Sequence, residues 1–146
     1  MMLSSKNKEK IYIKCIESIK STSESNKLKF ISKLLFESFD NWIFCGFYFQ
    51  ENDKLLVSEY SANKIPCSPI EFNGVCGTAI LKNKILNIDD VNTFQGHIVC
   101  DNDSKSELCI PFDIDGIKYV LDVDSNIYNA FCEIDEKYLV KIIKEF

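Results

Sequence analysis

The sequence predicts an α+β fold: a central, mainly antiparallel β-sheet with helices from both ends of the chain packed on one of its faces. Three observations carry this. Apolar residues recur at helical spacing near both termini, two hairpin signals lie between them, and the middle is interrupted by proline, glycine and polar stretches. The 146 residues suit a single domain over 1–146, a length that buries roughly two-thirds of the unfolded surface.

Between Lys6 and Lys20, the residues Ile11, Tyr12, Cys15, Ile16 and Ile19 form the stripe of a helix with one buried face. A polar break at Ser21 to Asn26 follows. Leu28, Ile31, Leu34 and Leu35 then repeat the pattern as far as Ser38. Trp42 to Phe49 is aromatic and too short for a separate helix, so it reads as a strand. Glu51-Asn52-Asp53 turns it onto a partner strand from Lys54 to Tyr60. Residues 61–73, with Pro66, Pro69 and Asn73, read as an irregular excursion. Gly74 to Leu81 reads as a short helix, Lys84 to Ile88 as a short strand, and Asp89 to Ser104 as a long loop of the kind usually kept for function. Glu107 to Phe112 and Ile117 to Asp124 flank the turn Asp113-Ile114-Asp115-Gly116 as a second hairpin. Asp135 is the expected N-cap of a last helix reaching Phe146.

Hydrophobic content of 46% with net charge −5 describes a folded acidic protein. Its 17 basic residues are all lysine, with no basic patch and no guanidinium for base or phosphate contacts, which argues against nucleic-acid binding. No apolar run approaches the ~20 residues of a membrane span. The N-terminal residues lead into a charged amphipathic segment, so neither a membrane nor a secretory signal is expected, and a cytoplasmic location is. In that compartment seven cysteines are not a structural disulfide framework. Cys15 and Cys45 sit on apolar patterns and read as core, Cys109 reads as strand interior, and the role of Cys132 stays open. Cys67, Cys76 and Cys100 are the candidates for chemistry.

Cys100 follows the only histidine, His97, and is surrounded by Asp101, Asp103 and Glu107. A nearby cation favours the reactive thiolate, whereas carboxylates oppose it. A cysteine so placed makes sense when the carboxylates bind or protonate the substrate. Asp122 and Asp124 are two apart on a strand and leave the same sheet face, an arrangement that is costly unless a cation, proton or donor satisfies them. Cys67 and Cys76 could resolve an oxidised Cys100 as a disulfide. A Zn²⁺ site from Cys67, Cys76, His97 and Cys100 has acceptable donors but lacks paired knuckle spacing, so no metal is expected.

The runs Gly74-Val75-Cys76-Gly77-Thr78-Ala79, Gly96-His97-Ile98-Val99-Cys100-Asp101, Ser106-Glu107 and Val120-Leu121-Asp122-Val123-Asp124-Ser125 resemble the free methionine-(R)-sulfoxide reductases, which are single GAF-domain enzymes. Asn41-Trp42, Gly46-Phe47-Tyr48 and Asp135-Glu136 fit as well. The resemblance implies a GAF-like fold with an active-site loop region on the face opposite the helices. It implies reduction of free L-methionine (R)-S-oxide, with Cys100 attacking the sulfoxide sulfur and Cys67, or Cys76, resolving the sulfenic acid. His97 and Asp101 would support Cys100. Glu107, Asp122 and Asp124 would hold the substrate ammonium and assist at the sulfoxide oxygen. Trp42 resembles the aromatic wall against the substrate methyl, with Tyr48 nearby. Strand periodicity places Phe44 on the same face as Trp42, so either could be that wall. Thioredoxin is the implied reductant, with no cofactor, and a homodimer the implied assembly. Two rivals are a GAF-type small-molecule sensor and a thiol redox switch without catalysis.

Overall fold

Helix α1 (Ser5–Ser21) begins where the Ser4 hydroxyl accepts the Asn7 N–H, and α2 (Lys27–Ser38) where the Asn26 side chain accepts the Lys29 N–H. Both are side-chain caps that satisfy a first-turn donor. The computed structural model describes residues 3–96 and 102–145. After α2 come β1 (Trp42–Glu51), β2 (Lys54–Ala62), α3 (Val75–Lys82), β3 (Leu86–Ile88), β4 (Ser106–Ile114), β5 (Ile117–Ser125) and α4 (Glu133–Ile143). The long stretch after β3 includes one turn of 3-10 helix, Val91–Thr93, anchored by buried Val91.

The five strands form one sheet in the order β2-β1-β5-β4-β3, with every neighbouring pair antiparallel. Both hairpins close through two residues. Ile114 pairs with Ile117, leaving Asp115 (φ 50°) and Gly116 (φ 83°) to turn the chain, the positive-φ pair that matches the strand twist. β5 lies in the middle, so its residues face neighbours on both sides.

Strand alternation divides the sheet into two faces. Trp42, Cys45, Phe47, Leu108, Ile110, Leu121 and Val123 pack with Tyr12, Ile19, Ile31, Leu35, Leu139 and Ile142 from α1, α2 and α4. Each large side chain buried there contributes roughly 1.5–3 kcal/mol. Phe44, Tyr48, Leu55, Cys109 and Val120 point the other way, against Val75, Cys76, Ala79 and Ile80 of α3. The terminal helices thus cover one face, as the amphipathic patterns require, and the other is left for α3 and a pocket.

The last helix departs from its expected start. Its N-cap is Cys132, not Asp135. Asp135 sits in the first turn, where its carboxylate accepts the Cys132 N–H at 2.8 Å, the Lys8 ammonium at 2.6 Å and the Tyr12 hydroxyl at 2.6 Å. Reaching back to Cys132 and across to α1 is possible only from a position inside the helix, facing the core.

Candidate active site

The site is assembled by the register of three adjacent strands. Asp122 lies opposite Gly46 of β1 and Cys109 of β4, and Asp124 opposite Phe44 and Glu107. Glu107, Cys109, Asp122 and Asp124 therefore leave one face together. α3 places Cys76 above them in its first turn. A Cβ on Gly77 would collide with the Phe72 backbone, so glycine there permits this close seating. Ile43, Phe44, Tyr48, Lys64, Gly74, Val75, Cys76, Ser104, Glu107, Asp122 and Asp124 are among the residues lining the resulting pocket.

Burial dominates the electrostatics. Glu107 is 6% exposed and Asp122 5%. Burial, then the charges of Asp122 and Asp124 and a hydrogen bond with Asp122, push the Glu107 carboxyl well above the usual carboxylate range. A carboxyl raised in this way is suited to carry and donate a proton inside the pocket. The hydrogen bond with Cys109 draws the Cys76 thiol down, but burial and the charges of Asp122 and Asp124 outweigh it and carry Cys76 up to about 12. Burial, followed by Cys76 and Glu107, also raises Cys109 well above an ordinary thiol. Burial and Asp122 raise the Tyr48 hydroxyl, which donates to the Cys67 carbonyl oxygen at 2.9 Å.

Three of the residues proposed from sequence, His97, Cys100 and Asp101, lie outside the described residues. Cys67 is disulfide-bonded, while Cys15, Cys45, Cys76, Cys109 and Cys132 are free thiols. Glu107, Asp122, Asp124, Cys76, Phe44 and Tyr48 are brought together at the pocket. Trp42 is not. It stacks on Phe39 at 4.4 Å between ring centroids and packs in the core beneath the helices. The cause is a β-bulge: from Trp42 to Phe44 β1 advances two residues while β5 advances one, from Ser125 to Asp124. The extra residue, Ile43, turns Trp42 to the opposite face, and Phe44 is the pocket aromatic.

Two contributors were not identified from sequence as part of the pocket. Cys109 reads as strand interior, yet its sulfur is 3.4 Å from that of Cys76 and 3.5 Å from both Glu107 Oε2 and Asp122 Oδ1. Its parity with Glu107, two residues earlier on β4, was the signal available. Ser104 lines the pocket with its hydroxyl buried and without a hydrogen-bond partner. Nothing in the local sequence separates it from the other loop serines.

The helices, sheet order and one-sided pocket define a GAF domain. A solved GAF-domain structure matches with a TM-score of 0.86 at 30% identity, covering 98% of this chain and 89% of that one. No protein-family model matches the chain. Protein YtsP of Bacillus subtilis is 47% identical over 113 residues, covering 75% of this chain and 69% of that protein. The free methionine-R-sulfoxide reductase of Escherichia coli is 38% identical over 116 residues, covering 78% of this chain and 70% of that enzyme. The chain belongs to the free methionine-R-sulfoxide reductase family. No helix among the described residues is long and apolar enough to cross a membrane.

Proposed function

We propose that this protein reduces free methionine (R)-sulfoxide to methionine by thiol chemistry. The observation that carries the reading is the convergence of Glu107, Asp122 and Asp124 on one pocket face, where burial and its acidic neighbours push the Glu107 carboxyl upward. Carboxylates there suit the ammonium group of a free amino acid, and a protonated carboxyl suits the sulfoxide oxygen, which needs a proton as the S–O bond breaks. Phe44 supplies the apolar wall for the substrate methyl, and the partnerless Ser104 hydroxyl a further polar contact.

In this reaction the Cys100 thiolate attacks the sulfoxide sulfur. The oxygen passes to Cys100, methionine leaves, and a sulfenic acid remains. Cys67 then attacks that sulfenic sulfur, water leaves, and a Cys67–Cys100 disulfide forms. Cys67 is disulfide-bonded while Cys76 is a free thiol, which supports Cys67 over Cys76 in the resolving role. A dithiol reductant of the thioredoxin class returns both residues to thiols. Cys76, with its thiol held up near 12, is an accessory group.

Three expected outcomes follow. Cys67→Ser releases one methionine per chain in a single turnover and is not recycled by thioredoxin; sustained thioredoxin-dependent turnover by this variant contradicts the resolving role. Phe44→Ala lowers kcat/KM by roughly 10–200-fold, the scale of a lost apolar pocket contact, while Trp42→Ala chiefly lowers stability, by about 3–5 kcal/mol. Steady-state kinetics and denaturant unfolding separate the two. The third concerns pH. The raised carboxyl of Glu107 keeps its proton below its shifted pKa and loses it as pH rises through that value, so kcat falls on the alkaline side. Glu107→Gln lowers kcat by about 10²–10⁴-fold and removes that limb of the profile; an unaltered limb assigns the acid elsewhere.

A further inference from the structure

We infer that Cys76, Glu107, Cys109 and Asp122 form a binding site for a zinc-class divalent cation on the floor of the pocket. All four are buried, and one ligand atom from each lies within 4.8 Å of all the others. Cys109 Sγ is 3.4 Å from Cys76 Sγ and 3.5 Å from both Glu107 Oε2 and Asp122 Oδ1, and Cys76 Sγ is 3.9 Å from Glu107 Oε2. Tetrahedral Zn²⁺, with bonds of about 2.3 Å to sulfur and about 2.0 Å to oxygen, sets two sulfurs about 3.8 Å apart, a sulfur and an oxygen about 3.5 Å apart and two oxygens about 3.3 Å apart. The sulfur–sulfur spacing of 3.4 Å and the sulfur–oxygen spacings of 3.5–3.9 Å each lie within about 0.4 Å of those values, so a cation at the centre requires only small side-chain movements.

The donor set selects the class of ion. Two sulfurs with two carboxylates favour zinc and its softer relatives over magnesium or calcium, which take oxygen ligands. The fold holds three of the four donors on paired strands, with Cys109 directly opposite Asp122 and Glu107 two residues along β4. α3 brings the fourth. Cys76, Glu107 and Asp122 also line the pocket, which gives the ion its route in. This set differs from the Cys67, Cys76, His97 and Cys100 combination considered from sequence, and Cys109 is the donor that distinguishes it. The consequence for activity rests on the proposed function: a cation on Glu107 and Asp122 displaces the substrate ammonium, so zinc acts as a reversible, substrate-competitive inhibitor.

The test is titration of the fully reduced, full-length protein with Co²⁺ and then Zn²⁺. One equivalent of Co²⁺ is expected to give thiolate charge-transfer and tetrahedral ligand-field absorption, displaced by one equivalent of Zn²⁺. Cys109→Val reduces Co²⁺ affinity at least tenfold, while Cys67→Ser retains the wild-type spectrum. Should Cys109→Val not fold, Glu107→Gln is titrated instead, with the same loss expected. Absence of thiolate–cobalt absorption in the wild type, or an undiminished spectrum and affinity in the variant titrated, overturns the site. Because the spectra need no turnover, failure here is distinct from failure of the proposed reaction. In the activity arm, Zn²⁺ raises the apparent KM for methionine sulfoxide in the wild type and not in Cys109→Val; equal inhibition of both overturns the inhibitory role.

Discussion

Cys100→Ser is expected to abolish methionine release from free methionine sulfoxide, lowering the rate by at least about a thousandfold. A serine hydroxyl remains protonated at neutral pH and lacks the nucleophilicity of a thiolate. Loss of a residue that forms the covalent intermediate removes the route itself, so the effect is far larger than loss of a binding contact. The carboxylates cannot compensate. Glu107 can protonate the departing oxygen but cannot accept it. The variant retains the substrate pocket, because Phe44, Glu107, Asp122 and Asp124 are set by strand register and not by the cysteine. Binding of methionine sulfoxide measured by calorimetry therefore persists while turnover is lost. Full multiple-turnover activity in Cys100→Ser contradicts the mechanism.

Asp135→Ala is expected to cost as much stability as the loss of a large core side chain. The Asp135 side chain holds three groups from two parts of the chain: the Lys8 ammonium and Tyr12 hydroxyl of α1, each at 2.6 Å, and the Cys132 N–H at the start of α4. Lys8 is 5% exposed and otherwise donates to the Ala130 carbonyl at 2.8 Å. Alanine at 135 leaves a buried ammonium without its counter-charge, a change that costs about 3–5 kcal/mol. That is a large share of the roughly 5–15 kcal/mol by which a domain is stable. Thermal unfolding should fall by about 6–20 °C, at roughly 2–4 °C per kcal/mol for a chain of this size. A fall of less than about 3 °C shows that the ion pair contributes little beyond its own desolvation.

The sequence is most informative where local pattern and tertiary placement agree. Ile11, Tyr12, Cys15, Ile16 and Ile19 mark α1 without ambiguity because a single buried stripe determines the helix. Asp122 and Asp124 are legible as a same-face pair from strand parity alone, and their register opposite Cys109 and Glu107 gives that pair its setting. Trp42 escapes strand parity because a bulge changes parity without changing composition. Nothing in Asn41-Trp42-Ile43-Phe44 announces the extra residue that sends Trp42 into the helix-side core. Asp135 departs from the local pattern for a related reason: an aspartate near a helix start suits both the cap and the first turn, and the choice depends on Lys8 and Tyr12, more than a hundred residues away. Cys109 looked like an inert strand residue because its neighbours in sequence are apolar, while its neighbours in space are Cys76, Glu107 and Asp122.

The most direct test of the central claim is an epimer-resolved assay. The purified, reduced protein is incubated with free methionine sulfoxide containing both sulfur epimers, with dithiothreitol as reductant, and the two epimers and methionine are separated by chromatography. The account predicts that the R epimer is consumed completely, that methionine appears in equal amount, and that the S epimer remains. Failure to form methionine from the R epimer, or equal consumption of both epimers, contradicts it.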